Sequence, residues 1–141
     1  VFYQPGELKA VAYKKGKKWA ESHVATTGNA VALKLTPDKQ SVRSDGDDLV
    51  FVRVSFVDSK GREVPTAENV ISCKVEGKGR IVATDNGDPT CLIPFQEPTR
   101  PAFNGLYLAI VKPGYGTEGL LRLTVEAEGM PQQELKIKVE K

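Results

Sequence analysis

Apolar and polar residues alternate along most of this chain, and turn residues interrupt the alternation at short intervals. A period of two sends successive side chains to opposite faces, which is the pattern of half-buried strands. Helical spacing is nearly absent. Residues 8–13 alternate, Lys14-Lys15-Gly16-Lys17 reads as a tight turn, and residues 19–24 run back. These features predict a β-hairpin with a basic tip. Ala25-Thr-Thr-Gly-Asn29 is small and polar and reads as a linker.

Further strands follow. Val31, Leu33 and Leu35 share a face of the first, and Pro37 ends it. Val50, Val52, Val54 and Phe56 share a face of the second, over 49–57. Residues 70–76 and 80–84 form the next two, separated by Gly77-Lys-Gly79. A long loop, 85–105, holds Pro89, Pro94, Pro98 and Pro101. Strands at 106–112 and 120–128 come next, and Leu135, Ile137 and Val139 mark the last. About seven short strands with turns between them predict an all-β fold. The expected architecture is an immunoglobulin-like antiparallel β-sandwich over 28–141, preceded by the β-hairpin 1–27. A closed barrel would want even strand spacing, which the 85–105 loop breaks.

A lone two-stranded ribbon is marginal in water. Residues 1–27 are therefore expected to be the terminal fragment of a preceding domain, with Leu8, Val11, Tyr13 and Trp19 covered by something. Charge divides at the same place: residues 1–27 carry +3 and residues 28–141 carry −1. A lysine-rich turn without clustered Arg and interleaved aromatics does not point to nucleic acid.

With 141 residues, 27 % charged and 40 % hydrophobic, the composition is that of a folded domain. It is too short for a (β/α)8 barrel, which needs roughly 200 residues or more. The longest strongly apolar stretch, Leu106-Tyr-Leu-Ala-Ile-Val111, is far below the ~20 residues of a membrane helix. The opening Val1-Phe-Tyr-Gln-Pro-Gly6 has no Met, basic segment or apolar run, and the chain is expected to be a piece of something longer.

Candidate chemistry is sparse. Cys73 and Cys91 lack metal-ligand spacing, His23 is the single histidine, and no metal or cofactor is expected. Whether the two thiols pair is left open by their spacing. Asp85-Asn-Gly-Asp-Pro-Thr90 is the most polar cluster. Its oxygens suit a hard cation, but the crowding of Asn-Gly with Asp favours a structural turn. Ser44-Asp-Gly-Asp-Asp48 reads likewise. No catalytic residue is assigned: His23 lies outside the sandwich, and most acidic side chains fall in turns or on outward positions. Flat faces for sugar stacking are Trp19, Tyr107, Tyr115 and Phe103. Trp19 on the hairpin and Tyr115 in a Gly-rich loop are the candidates for carbohydrate contact; the alternative is that Trp19 packs against its parent domain and Phe103 closes the core.

Three stretches together carry a family resemblance: Asp85-Asn-Gly-Asp-Pro-Thr90, Pro94-Phe95, and Ala102-Phe-Asn-Gly-Leu-Tyr-Leu-Ala-Ile-Val111. They resemble the C-terminal immunoglobulin-like domain of glycoside hydrolase family 2 β-galactosidases. Leu33-Lys-Leu-Thr-Pro-Asp38, Asp45-Gly-Asp-Asp-Leu49 and Val64-Pro-Thr-Ala-Glu-Asn69 are similar to the same domain. Tyr3-Gln-Pro-Gly-Glu-Leu-Lys-Ala-Val-Ala-Tyr13, with Thr26-Thr-Gly28, resembles the end of the immunoglobulin-like domain before it. Trp19 departs from that pattern, where a smaller aliphatic residue is expected.

The resemblance implies a non-catalytic accessory domain that stabilises the enzyme, shapes its substrate cleft or mediates subunit contact. It implies that the parent cleaves β-galactosides by retention, on a barrel outside this chain. It also implies a periplasmic or extracellular setting. Asp85, Asn86, Gly87, Asp88, Phe103, Asn104 and Gly105 carry over as family-typical, structural positions. Asn86-Gly87 and Asn104-Gly105 supply turns that accept positive φ. Phe95 and Phe103 are expected to pin the long loop. Expected partners are the other domains of the parent glycosidase, carbohydrate or a second copy, with no nucleic acid and no membrane. Two alternatives remain: a carbohydrate-binding module, which needs grouped exposed aromatics, and a bacterial surface spacer or adhesion domain, which needs tandem copies. The chain has no internal repeat.

Overall fold

Strand alternation at the start of the chain becomes a ribbon of β1 (Glu7–Lys14) and β2 (Lys17–Ala25). The computed structural model describes residues 2 and 4–141, so Val1 and Tyr3 of the motifs above lie outside the described residues. Lys15 and Gly16, at φ 51° and 74°, are the central residues of the turn. Positive φ at both positions matches the twist of a two-residue hairpin. The register places Leu8, Ala10 and Ala12 opposite Val24, Ser22 and Ala20 on one face. Lys9 and Val11 oppose His23 and Glu21 on the other, where Glu21 pairs with both Lys9 and Lys18. The expected cover is missing within the described residues: Leu8 is 73 % exposed and Trp19 70 %.

The sandwich follows, built from β3 (Ala32–Pro37), β4 (Ser41–Arg43), β5 (Val50–Val57), β6 (Val70–Glu76) and β7 (Gly79–Asp85). It continues with β8 (Thr99–Pro101), β9 (Leu106–Pro113), β10 (Gly119–Ala127) and β11 (Gln133–Glu140). One sheet has the order β4-β11-β10-β6-β8 and the other β3-β5-β9-β7. The pairs are antiparallel except β4 with β11, which is parallel. The short β4 and β8 are additions to the strands expected from the pattern. β8 arises inside the proline-rich loop, where Val70 pairs with Pro101 and Ser72 with Thr99.

The core lies between the sheets. Val50, Val52, Val54 and Phe56 of β5 and Ala109 and Val111 of β9 are fully buried. They pack with Ile71 of β6, Leu121, Leu123 and Val125 of β10, and Ile137 of β11. Each such side chain contributes roughly 1.5–3 kcal/mol when fully buried.

Gly28 ties the linker to the sandwich. Gly28 N donates to Oδ2 of Asp58 at 3.0 Å. The same carboxylate accepts the Lys60 and Arg62 amides and the Arg62 Nε, the last at 2.8 Å. Arg62, then these amides, hold the Asp58 carboxyl well below the usual carboxylate range.

Candidate functional site

The polar cluster at 85–90 closes β7 and is folded by its own side chains. Asp85 Oδ1 accepts the amides of Asn86 at 2.7 Å and Gly87 at 3.1 Å. Asn86 Oδ1 accepts the Asp88 amide at 3.0 Å, and its Nδ2 donates to the Pro101 carbonyl at 3.0 Å. Asp88 Oδ1 accepts from Thr90 N and Oγ1 at 2.8 and 2.7 Å. These are nested Asx turns, in which short polar side chains satisfy the backbone two residues on. Oxygens aimed at amides do not converge on a cation. No group of three or more His, Cys, Asp or Glu that could hold a metal is found among the described residues.

The second family-typical cluster is the turn between β8 and β9. Phe103 and Leu106 exchange backbone hydrogen bonds at 3.1 and 3.0 Å around Asn104 and Gly105, whose φ values are 51° and 74°. Gly105 N donates to Ala67 O, and Gly105 O accepts from Phe56 N, both at 3.0 Å. A Cβ at position 105 would run into the Val64 carbonyl oxygen. Only glycine fits there. Phe103 is half-buried and Asn104 exposed.

Between these clusters, on the outer side of the sheet, lies a hollow of about 290 Å³. Arg53, Asp85, Asn86, Gly87, Leu106, Tyr107 and Leu108 line it. The structure thus gathers Asp85, Asn86 and Gly87 around one concavity. Asp88, Phe103, Asn104 and Gly105 stand outside its lining. Arg53 is engaged by Glu63 at 2.8 Å.

Sequence reasoning missed Arg100. This residue of β8 is 1 % exposed. Its Nε donates to Thr84 Oγ1 at 2.8 Å and one terminal nitrogen to the Pro94 carbonyl at 2.9 Å. The other terminal nitrogen points at Cys91 Sγ, 3.8 Å away, and the guanidinium carbon lies 5.8 Å from the centre of the Phe95 ring. Thr84 Oγ1 in turn donates to the Glu97 carbonyl at 2.5 Å. One buried side chain therefore fastens the long loop to β7. An Arg among prolines and turn residues reads as solvated, so nothing in the pattern marked it.

The aromatic candidates divide by burial. Tyr107 is 2 % exposed, and its hydroxyl donates to the Pro98 carbonyl at 2.9 Å. It shares the inward parity of Ala109 and Val111, so the stacking role considered for it is corrected. Burial pushes the Tyr107 hydroxyl above the usual tyrosine range and the Cys73 thiol up to about 11. Cys73, buried in β6, and Cys91, in the loop, are both free. Trp19 lies on β2, with Lys14 Nζ 5.4 Å from its ring centre. Tyr115 is 83 % exposed between β9 and β10, its ring edge against Gly46. Neither lines the hollow above, nor a larger one of about 830 Å³ at the base of the ribbon beside Pro65 and Thr66.

Residues 33–136 match the family model for the glycoside hydrolase family 2 C-terminal domain 5. The chain belongs to that family. Residues 1–20 match a different model, Domain of unknown function (DUF4982). The chain is 38 % identical over 140 residues to Beta-galactosidase BoGH2A of Bacteroides ovatus, covering 99 % of this chain and 16 % of that protein. A β-glycosidase of Bacteroides vulgatus superposes with a TM-score of 0.91 at 29 % identity, over 99 % of this chain and 18 % of that one. A glycosyl hydrolase family 2 member of Bacteroides cellulosilyticus gives 0.94 at 28 % identity, over 100 % and 18 %. This family 2 domain thus spans less than a fifth of the length of these relatives.

Proposed function

We propose that this chain is a non-catalytic accessory domain of a retaining family 2 β-galactosidase, supporting domains that carry the chemistry. One observation carries the reading: nearly the whole chain is similar to a β-galactosidase of which it spans only 16 %. The local chemistry agrees. Asp85 and Asp88 accept from main-chain amides, and Arg53, in the lining of the hollow, is paired with Glu63. Retaining hydrolysis needs two carboxyls about 5–5.5 Å apart across a sugar. We further propose that ribbon 1–27 completes the preceding domain. Its first twenty residues match another family's model, and its two faces are open.

The test is hydrolysis of a chromogenic β-galactoside. The chain alone should give none, and the longer polypeptide that carries it should give turnover. Removing residues 28–141 from that polypeptide should lower its thermal stability. Turnover by the chain alone would overturn the proposal.

A further inference from the structure

The two edges of the ribbon are unlike. At its open end Thr26 N donates to Gly6 O at 2.8 Å, which makes Gly6 and Thr26 a hydrogen-bonded pair. Bonded and non-bonded pairs alternate along an antiparallel ladder. The register then bonds Leu8 with Val24 and Ala10 with Ser22, and it turns the main-chain groups of Glu7, Lys9 and Val11 away from β2. Those of Glu21 and His23 turn outward on β2 in the same way. A bulge interrupts that second row: Ala12 faces Ala20 and Tyr13 faces Lys18, which leaves Trp19 as the extra residue. Bulges twist an edge away from a further strand, and lysines guard edges. On β1 the outward row is unbroken over 7–11, and Lys9 is drawn across the ribbon to Glu21 at 2.9 Å.

The two faces differ as well. Leu8, Ala10 and Ala12 lie opposite Val24, Ser22 and Ala20, and these positions carry no charge. Lys14 and Lys17 follow on that side only at the tip. Leu8 is 73 % exposed and Val24 65 %. The other face holds Lys9, Glu21 and His23. A ribbon with one uncharged and one ionic face is patterned to bury the first and wet the second.

We infer that β1 is the pairing edge of the ribbon: its outward amides and carbonyls at Glu7, Lys9 and Val11 extend a β-sheet of the preceding domain in the same polypeptide, and the uncharged face covers that domain's apolar interior. The inference rests on the reading that the ribbon completes the preceding domain. The occupant is therefore an edge strand with free main-chain groups, beside an apolar sheet face, as in strand addition generally. The match to the second family model selects it. That match runs over residues 1–20, so it takes in the whole of β1 and ends just inside β2.

The experiment is residue-resolved hydrogen exchange on the 141-residue chain and on the longer polypeptide that carries it. In the short chain the amides of Glu7, Lys9 and Val11 should exchange fast. In the longer polypeptide they should slow at least about tenfold, while those of Glu21 and His23 stay as fast as before. Val11→Pro and His23→Pro each remove one outward amide, from β1 and β2 respectively, and neither removes a bond between the two strands. In the short chain both should keep the melting temperature of the sandwich within roughly 2–3 °C. In the longer polypeptide Val11→Pro should restore fast exchange at Glu7 and Lys9 and lower the melting temperature of the preceding domain by at least about 5 °C; His23→Pro should do neither. Slowing at Glu21 and His23, alone or together with β1, would overturn the choice of edge and leave the completion of the preceding domain standing. Slowing at neither edge would overturn both. Sedimentation of the short chain as a dimer that Val11→Pro dissociates would make the occupant a second copy and overturn the inference too. Galactoside turnover is read separately: turnover by the short chain sinks the accessory reading and leaves the exchange comparison standing.

Discussion

Gly105→Ala isolates the cost of a close backbone approach. Gly105 holds φ at +74°. A left-handed backbone costs an L side chain roughly 1–2 kcal/mol. The new Cβ would also overlap the Val64 carbonyl oxygen and lie 3.0 Å from the Val64 carbonyl carbon. That neighbour is main chain and cannot rotate away. Relief means lifting the 103–106 turn from residues 64–67. Two hydrogen bonds go with it, Gly105 N to Ala67 O and Phe56 N to Gly105 O. At about 1 kcal/mol each, they bring the loss to about 3–4 kcal/mol. Gly87→Ala is the control, with φ +77° and nothing within 4 Å of the added carbon. It should cost only the conformational part, roughly 1–2 kcal/mol. At about 2–4 °C per kcal/mol for a chain near this size, calorimetry should record a drop of roughly 10 °C for Gly105→Ala and roughly 3–5 °C for Gly87→Ala. Equal drops would refute the argument that contact with Val64, rather than φ, dictates the residue.

Arg100→Met removes the fastening of the long loop while keeping volume and discarding a buried charge. The urea midpoint should fall by the equivalent of about 2 kcal/mol, and proteases should cut within 86–98 faster; an unchanged midpoint would contradict the role given to Arg100. The Asp58 carboxyl is depressed in the folded state, so its contribution is present above the unfolded value of about 3.9 and is lost as pH falls through the folded value. Stability should therefore decline below about pH 4, and Asp58→Asn should flatten that decline, with Glu21, Asp45 and Asp48 sustaining the remainder; an identical acid profile would tell against the linker clamp. Ellman's reagent at pH 8 should titrate Cys91 in the native chain and Cys73 only after denaturation, since Cys73 is buried with its thiol pushed up to about 11; two fast native thiols would show the core packing to be wrong.

Much of the architecture was legible because burial imposes a period of two. Val50, Val52, Val54 and Phe56 declared the inner face of β5 before any contact was known. The Lys15-Gly16 and Asn104-Gly105 turns were legible for the same local reason, since few residues accept positive φ. β4 and β8 were not, because three residues are too few to display alternation. Tyr107, one of four flat faces weighed for stacking, points inward because it shares the parity of Ala109. Asp58 could be read as a turn residue, but its bond to Gly28, thirty positions away, depends on tertiary approach. Arg100 is the same case: a guanidinium's partners are carbonyls and a hydroxyl that no local pattern announces.

The position of β11 has a consequence for how the molecule is made. This strand is not at an edge; it lies between β4 and β10, joined to one in parallel and to the other in antiparallel fashion. Ile137 and Val139 bring its apolar side into the centre. A ribosome delivers the strands in order, so β4 and β10 wait with open backbone edges until residues 133–140 emerge. Closure onto β4 is then a long-range event, slow by nature and sensitive to stalling before residues 133–140 are made. A nascent chain arrested before that point would hold two unfilled edges, the very surfaces that chaperones bind.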